Sequence, residues 1–178
     1  MCSSDLMTAG GNIKAELSGI GILNKGSINA DENIDLTVSA GDIKVSGSAI
    51  ANKGNVKMTI DKGTLDIAGK LIAKGGEIDI ELDDGNIQIG KDANAADTVL
   101  AKGDIFMTTN KGMINIAGKT KSTSGKVNLK STKKAENSVA NANIAEIDSA
   151  EFAQLVAETY EPEIGDITVD AEIEADDS

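Results

Sequence analysis

Apolar and polar residues alternate with period two in short runs along most of this chain, and the runs return at a fixed interval. Alternation of that kind predicts β-strands with one buried face. The glycines preceding the runs, Gly41, Gly54, Gly63, Gly76, Gly85, Gly103, Gly112 and Gly125, follow one another in steps of 13, 9, 13, 9, 18, 9 and 13. A step of 13 and a step of 9 make a 22-residue unit, and the 18 is a 13 with five extra residues around Asp92.

Two interleaved classes of run appear. One reads Glu32-Asn-Ile-Asp-Leu-Thr-Val, Gly54-Asn-Val-Lys-Met-Thr-Ile and Gly76-Glu-Ile-Asp-Ile-Glu-Leu, and continues from Gly103 and Gly125. The other is shorter: Gly41-Asp-Ile-Lys-Val, Gly63-Thr-Leu-Asp-Ile, Gly85-Asn-Ile-Gln-Ile and Gly112-Met-Ile-Asn-Ile. A third apolar stretch closes each unit, as in Ala49-Ile50-Ala51, Leu71-Ile72-Ala73 and Val99-Leu100-Ala101. The inward set of the unit from Gly54 to Gly75 is expected to be Val56, Met58, Ile60, Leu65, Ile67 and Ile72. Three short strands cannot bury their apolar faces alone, so successive units must stack, like on like. Aligned units place Ile34, Val56, Ile78, Ile105 and Val127 in one column, and Ile43, Leu65, Ile87 and Ile114 in another. A β-sandwich also alternates but has no reason to keep this period. The expected fold is therefore all-β, a parallel β-helix (solenoid) of about 22-residue, three-strand rungs, right-handed by the rule for parallel crossovers.

Three departures from the repeat carry expectations of their own. The five-residue excess is expected to bulge outward at a rung corner, where it is a neutral loop or part of a binding face. In the fourth rung Lys119-Thr-Lys-Ser-Thr-Ser replaces the aliphatic third strand, so the solenoid tapers there or opens to a covering element. The segment from Ser149 to Glu158 carries Phe152, Leu155 and Val156 at helical spacing behind Asp148 or Ser149 as N-cap, which predicts a short C-terminal helix as a lid. Alternation returns from Gly165. The resulting division is 7–130 for the solenoid, 131–164 for a helical cap or insertion, and 165–178 for a short strand and acidic tail. Residues 1–6 stand apart. Met1 to Leu6 reads back as GTG TGC TCT TCC GAT CT, a common sequencing-adapter end with GTG as start codon, and is expected to be a non-native remnant rather than a native leader. Cys2 then drops out of the native chemistry, and the true N-terminus lies upstream.

Composition narrows the function classes. Aromatics make up only 2 % of the chain, so the core must be aliphatic. All 17 basic residues are Lys at or before Lys134, against 16 acids in the same stretch, a net of +1; the 13 acids beyond it carry the whole excess. A near-neutral body with an acidic tail is no nucleic-acid footprint, and no apolar run approaches the ~20 residues of a membrane span. With no His and no native Cys, imidazole acid–base chemistry, Ser-His pairs and His or Cys metal sites are excluded for this segment. Asp79, Glu81, Asp83 and Asp84, with Asp61 and Asp66 one rung earlier, could in principle hydrolyse a glycosidic bond or hold Ca²⁺. A solvated outer face in which Lys57, Lys62, Lys70 and Lys74 alternate with these acids is the simpler reading. Lys25, Lys53, Lys74 and Lys102 recur before turn glycines, either as a cationic ridge for acidic glycans or as charge that keeps turns soluble. No catalytic, cofactor-binding or metal-ligating residue is assigned, no cofactor is expected, and the chain reads as a non-enzyme.

The repeated Gly-Asp-Ile-x-Val and Gly-x-Ile-Asn-Ile-Ala-Gly units, over about residues 11–130, resemble the shaft of filamentous-haemagglutinin-type adhesins. Those are large exoproteins of Gram-negative bacteria exported by two-partner or autotransporter routes. The resemblance implies an extended rod, secreted or at the cell surface. It implies binding loops for host or bacterial surface glycans or proteins, and an outer-membrane transporter as partner during secretion. Two other classes remain open. One is a cytosolic bactofilin-like self-assembling scaffold, whose rungs are shorter. The other is a β-helix polysaccharide-active enzyme, although the pectate-lyase relatives of that architecture depend on an Arg that this chain lacks.

Overall fold

The computed structural model describes residues 2–4, 6–92, 98–131, 144–149, 153–154 and 173–174, with side chains over 6–92 and 98–131. It is a parallel β-solenoid of about five turns, with about 22 residues per turn. Every strand pairing is parallel and joins a residue to its counterpart one turn on, as in Ile34 with Val56 and Val56 with Ile78.

Each turn contributes one strand to each of three stacks. The first stack holds the longest strands: Ile13–Leu17, Ile34–Val38, Val56–Lys62, Ile78–Asp84, Ile105–Thr109 and Val127–Ser131. The second holds the triplets Ile22–Asn24, Ile43–Val45, Leu65–Ile67 and Ile87–Ile89. The third holds Met7–Ala9, Ile28–Ala30, Ala49–Ala51, Leu71–Ala73 and Val99–Ala101. One continuous strand, Ile114–Ser122, runs around the corner and belongs to both shorter stacks, which it joins into a single sheet. Cys2–Ser4 adds to the second stack beside Ile22–Asn24 through backbone groups, a pairing that needs no particular side chain.

The interior is aliphatic, as the scarcity of aromatics requires. Both expected columns lie inside it: Ile34, Val56, Ile78, Ile105 and Val127 are buried, and so are Ile43, Leu65, Ile87 and Ile114. The third stack differs from expectation. Ile72 faces outward, and its neighbours Leu71 and Ala73 are the buried pair; the same parity puts Ala49 with Ala51, and Val99 with Ala101, inside. Ala30, Ala51, Ala73 and Ala101 form a column of small side chains, continued by Ser122.

Registry fixes the insertion. The steps from Ile34 to Val56 and from Val56 to Ile78 are equal, and the step from Ile78 to Ile105 is longer by five. Between Ile89 and Val99, at the corner joining the second and third stacks, the chain is six residues longer than between Ile67 and Leu71, and the next corner, Ala101 to Ile105, is one residue shorter than Ala73 to Ile78, while the columns on either side remain aligned. The fourth turn does not open. Thr120 and Ser122 take the inward places of the third stack over Val99 and Ala101, both fully buried. Strand Ile144–Ser149 covers them in parallel.

No helix occurs among the described residues. Most of the segment expected to be helical lies outside them, Phe152, Leu155 and Val156 included. Its described parts are strand: Ser149 ends Ile144–Ser149, and Ala153–Gln154 pairs with Val127–Asn128. Of the stretch expected to resume alternation, Ile173–Glu174 is a strand on Ile147–Asp148.

Candidate functional site

What the sequence leaves for binding is the outer surface, and its order begins at the corners. At most turns a stack is entered through a glycine followed by a polar residue, although Glu32 takes the glycine place before Asn33 and Met113 the polar place after Gly112. Before the first stack the polar residues form a ladder: Asn33 N donates to Asn12 Oδ1 at 3.1 Å, Asn55 N to Asn33 Oδ1 at 2.8 Å, and Glu77 N to Asn55 Oδ1 at 2.8 Å. Lys126 N donates to Asp104 Oδ1 at 2.7 Å two turns higher. Before the second stack, Thr64 N donates to Asp42 Oδ1 and Met113 N to Asn86 Oδ1, both at 2.9 Å. Before the third, Ser48 N donates to Ser27 Oγ at 3.1 Å and Lys70 N to Ser48 Oγ at 2.9 Å. The backbone turns at these positions, so the side chain one turn below supplies an acceptor for an N–H at the bend.

The glycine before each rung residue makes the room. A Cβ on Gly54 would lie 2.8 Å from Asn33 Cγ, and one on Gly125 would lie 2.6 Å from Asp104 N. The dipeptide thus works as a unit, glycine clearing the space through which the lower side chain reaches the N–H. The third ladder follows Gly26-Ser27, Gly47-Ser48 and Gly69-Lys70, a glycine series not used in predicting the strands. Its signal was present, since these dipeptides recur at or within one place of the repeat interval.

Between corners, the first stack presents a flat outer face whose in-register column reads Lys14, Asp35, Lys57, Asp79, Phe106 and Asn128. Charge alternates along its first four places. Lys57 Nζ pairs with Asp79 at 3.2 Å across turns, and Lys14 pairs with Glu16 at 2.8 Å on its own strand. The hydrogen bond that Lys57 donates to Asp79 raises the Lys57 pKa above the ordinary ammonium value, and the bond Lys14 donates to Glu16 does the same for Lys14. At the second stack Lys44 pairs with Asp42 at 2.9 Å. That bond, followed by the one from Thr64 N, holds the Asp42 carboxyl below its usual range.

The acids singled out in the sequence are spread along the turns. Asp79 pairs with Lys57, Asp66 accepts from Lys91 at 3.1 Å, and Asp83 accepts from Asn110 Nδ2 at 3.2 Å. Asp84 stacks over Lys62, and Asp61 and Glu81 are exposed. Among the described residues no three His, Cys, Asp or Glu side chains converge as a metal set.

The four lysines read as a possible ridge do not form one. Lys25 follows the second stack, whereas the other three follow the third. Lys102 stands over Lys74, but Lys74 stands over Asn52 and donates to its Oδ1 at 3.0 Å, which leaves Lys53 one place out of register. One turn between Ala51 and Val56 begins Asn-Lys-Gly where the next begins Lys-Gly-Gly, so equal spacing from glycine is not equal place in the rung.

The fold and these faces carry the functional reading alone: no family model, curated protein or solved structure matches this chain.

Proposed function

We propose that this chain is a structural and binding segment of a large secreted bacterial surface adhesin, an extended shaft that presents its faces and a corner loop for attachment. The observation that carries this reading is the regularity of the rod: an aliphatic interior, corners closed by side-chain ladders, and outer columns that are largely polar and charge-paired on the first two stacks, with Ile50, Ile72 and Leu100 outward on the third. A rod of this kind is stabilised by contacts between neighbouring turns only. Its outer positions are therefore free to vary for binding, and an extra loop at one corner leaves the columns intact. The partners are surface glycans or proteins, reached outside the cell after export through an outer-membrane transporter.

Adherence tests it directly. Beads coated with the chain should attach saturably to mammalian or bacterial cells and be displaced by soluble chain. Attachment equal to that of beads coated with an unrelated acidic protein would sink the reading.

A further inference from the structure

Phe106 is the one aromatic residue among those whose side chains are described, and it lies outside the core, 37 % exposed at an outward place of the first stack. Every in-register counterpart is polar or charged. Isolated apolar surface residues are common. What distinguishes this one is its frame. Asp79 flanks it on one side and Asn128 on the other, one strand spacing away, or about 4.8 Å. Thr108 stands two residues on along its own strand, between Glu81 and Lys130.

From this arrangement we infer that the outer face around Phe106 is a binding site for a neutral glycan, a deepening that rests on the adhesin reading. A hexopyranose has an apolar face of C–H groups and a rim of hydroxyls. The exposed part of the ring offers apolar surface to that face. Asp79 and Asn128 occupy the in-register places on either side of it and offer acceptors and donors in planar groups to the sugar hydroxyls, Asp79 while also accepting from Lys57. Successive strands repeat that polar edge along the rod, which suits an oligosaccharide better than a single sugar.

The same features disfavour other occupants. A protein partner needs a contiguous apolar centre, and the in-register neighbours of Phe106 are polar. An acidic polysaccharide needs a cationic field. Here Lys57 is paired with Asp79, and Glu81 and Lys130 flank Thr108, so the charges balance.

The test titrates the full chain with cellohexaose, maltohexaose and chitohexaose, read by saturation-transfer NMR and calorimetry. At least one should bind, with the sugar C–H protons saturated from the aromatic ring. Phe106→Ala should weaken binding at least tenfold while the variant keeps the β-sheet circular dichroism of the parent, and Phe106→Trp should retain binding. Undiminished binding by Phe106→Ala, or no binding of any of the three, overturns the inference. The bead assay on the same proteins separates the two readings. Cell attachment without sugar binding sinks the glycan site and leaves the adhesin, whereas sugar binding without attachment sinks the adhesin and leaves the site.

Discussion

Gly63 shows how tightly one residue is held by the turn beneath it. Its φ is +148°, which L side chains rarely adopt, and a Cβ there would overlap the carbonyl oxygen of Gly41. Both causes act together, so Gly63→Ala should destabilise by about 2–4 kcal/mol through strain and backbone displacement. Gly10 has nothing within 4 Å of its Cβ position and no such φ, so Gly10→Ala should be nearly silent. Urea unfolding of the two variants makes the comparison, and equal midpoints would refute the stacking argument. The ladder residues make a smaller contribution. Asn55→Ala removes the acceptor of the Glu77 N–H and should cost about 1 kcal/mol. Asn55→Asp keeps that oxygen, in the role Asp104 already fills for Lys126, and should recover most of the loss. The glycines were legible in the sequence because they repeat. The ladders were not, because the accepting places are shared by Asn, Asp and Ser, and only their common ability to accept one hydrogen bond unites them.

At the scale of the strand, parity decides everything, since shifting by one residue exchanges inside for outside. In the first two stacks one parity is largely polar, as in Val56-Lys-Met-Thr-Ile, with Leu23 and Phe106 as exceptions, and the inward face could be read from the residues alone. In the third stack Leu71-Ile72-Ala73 and Val99-Leu100-Ala101 are apolar throughout, so alternation carries no information there. Only the register with the turns above and below settles it. The insertion was legible for the opposite reason: it changes a count and leaves every column's chemistry intact. Paired substitutions test both parities. Ile67→Asp puts an unpaired charge into the interior and should unfold the chain or cost more than about 4 kcal/mol, whereas Lys70→Asp at the corner should stay within about 0.5 kcal/mol. In the third stack Leu71→Asn should destabilise strongly and Ile72→Asn only slightly. Thermal melts followed by circular dichroism measure all four, and a larger loss at Ile72 than at Leu71 would reverse the assignment. The candidate faces were only half legible. Aligning Ile78 with Ile105 already sets Asp79 beside Phe106, but the sequence cannot tell which outward side chains bond across turns, as Lys57 does with Asp79.

The whole rod couples these local terms through nearest neighbours, and its response to acid isolates one of them. Asp42 has a folded pKa below its unfolded value, because Lys44 and the Thr64 N–H both favour the carboxylate. A depressed folded pKa means stability that is fully present above the unfolded value, about 3.9, and is lost as pH falls through the folded one. Its side chain is 40 % exposed, so solvent screening keeps the contribution below about 1 kcal/mol. Asp42→Asn removes the charge while retaining an Oδ1 acceptor for Thr64, and so deletes the titration without breaking the corner. Urea midpoints from pH 7 to pH 3 should therefore be lower for Asp42→Asn at neutral pH and converge with the parent toward the acid limit. Because each turn touches only the two beside it, the loss should not stay at Asp42. Amide exchange in Asp42→Asn should quicken in the turns on either side, where Ile22 N donates to Asp42 O and Thr64 N to its Oδ1. It should fade toward Ile105–Thr109, several turns away. Exchange that quickened equally everywhere would show a single cooperative unit in place of a chain of coupled turns.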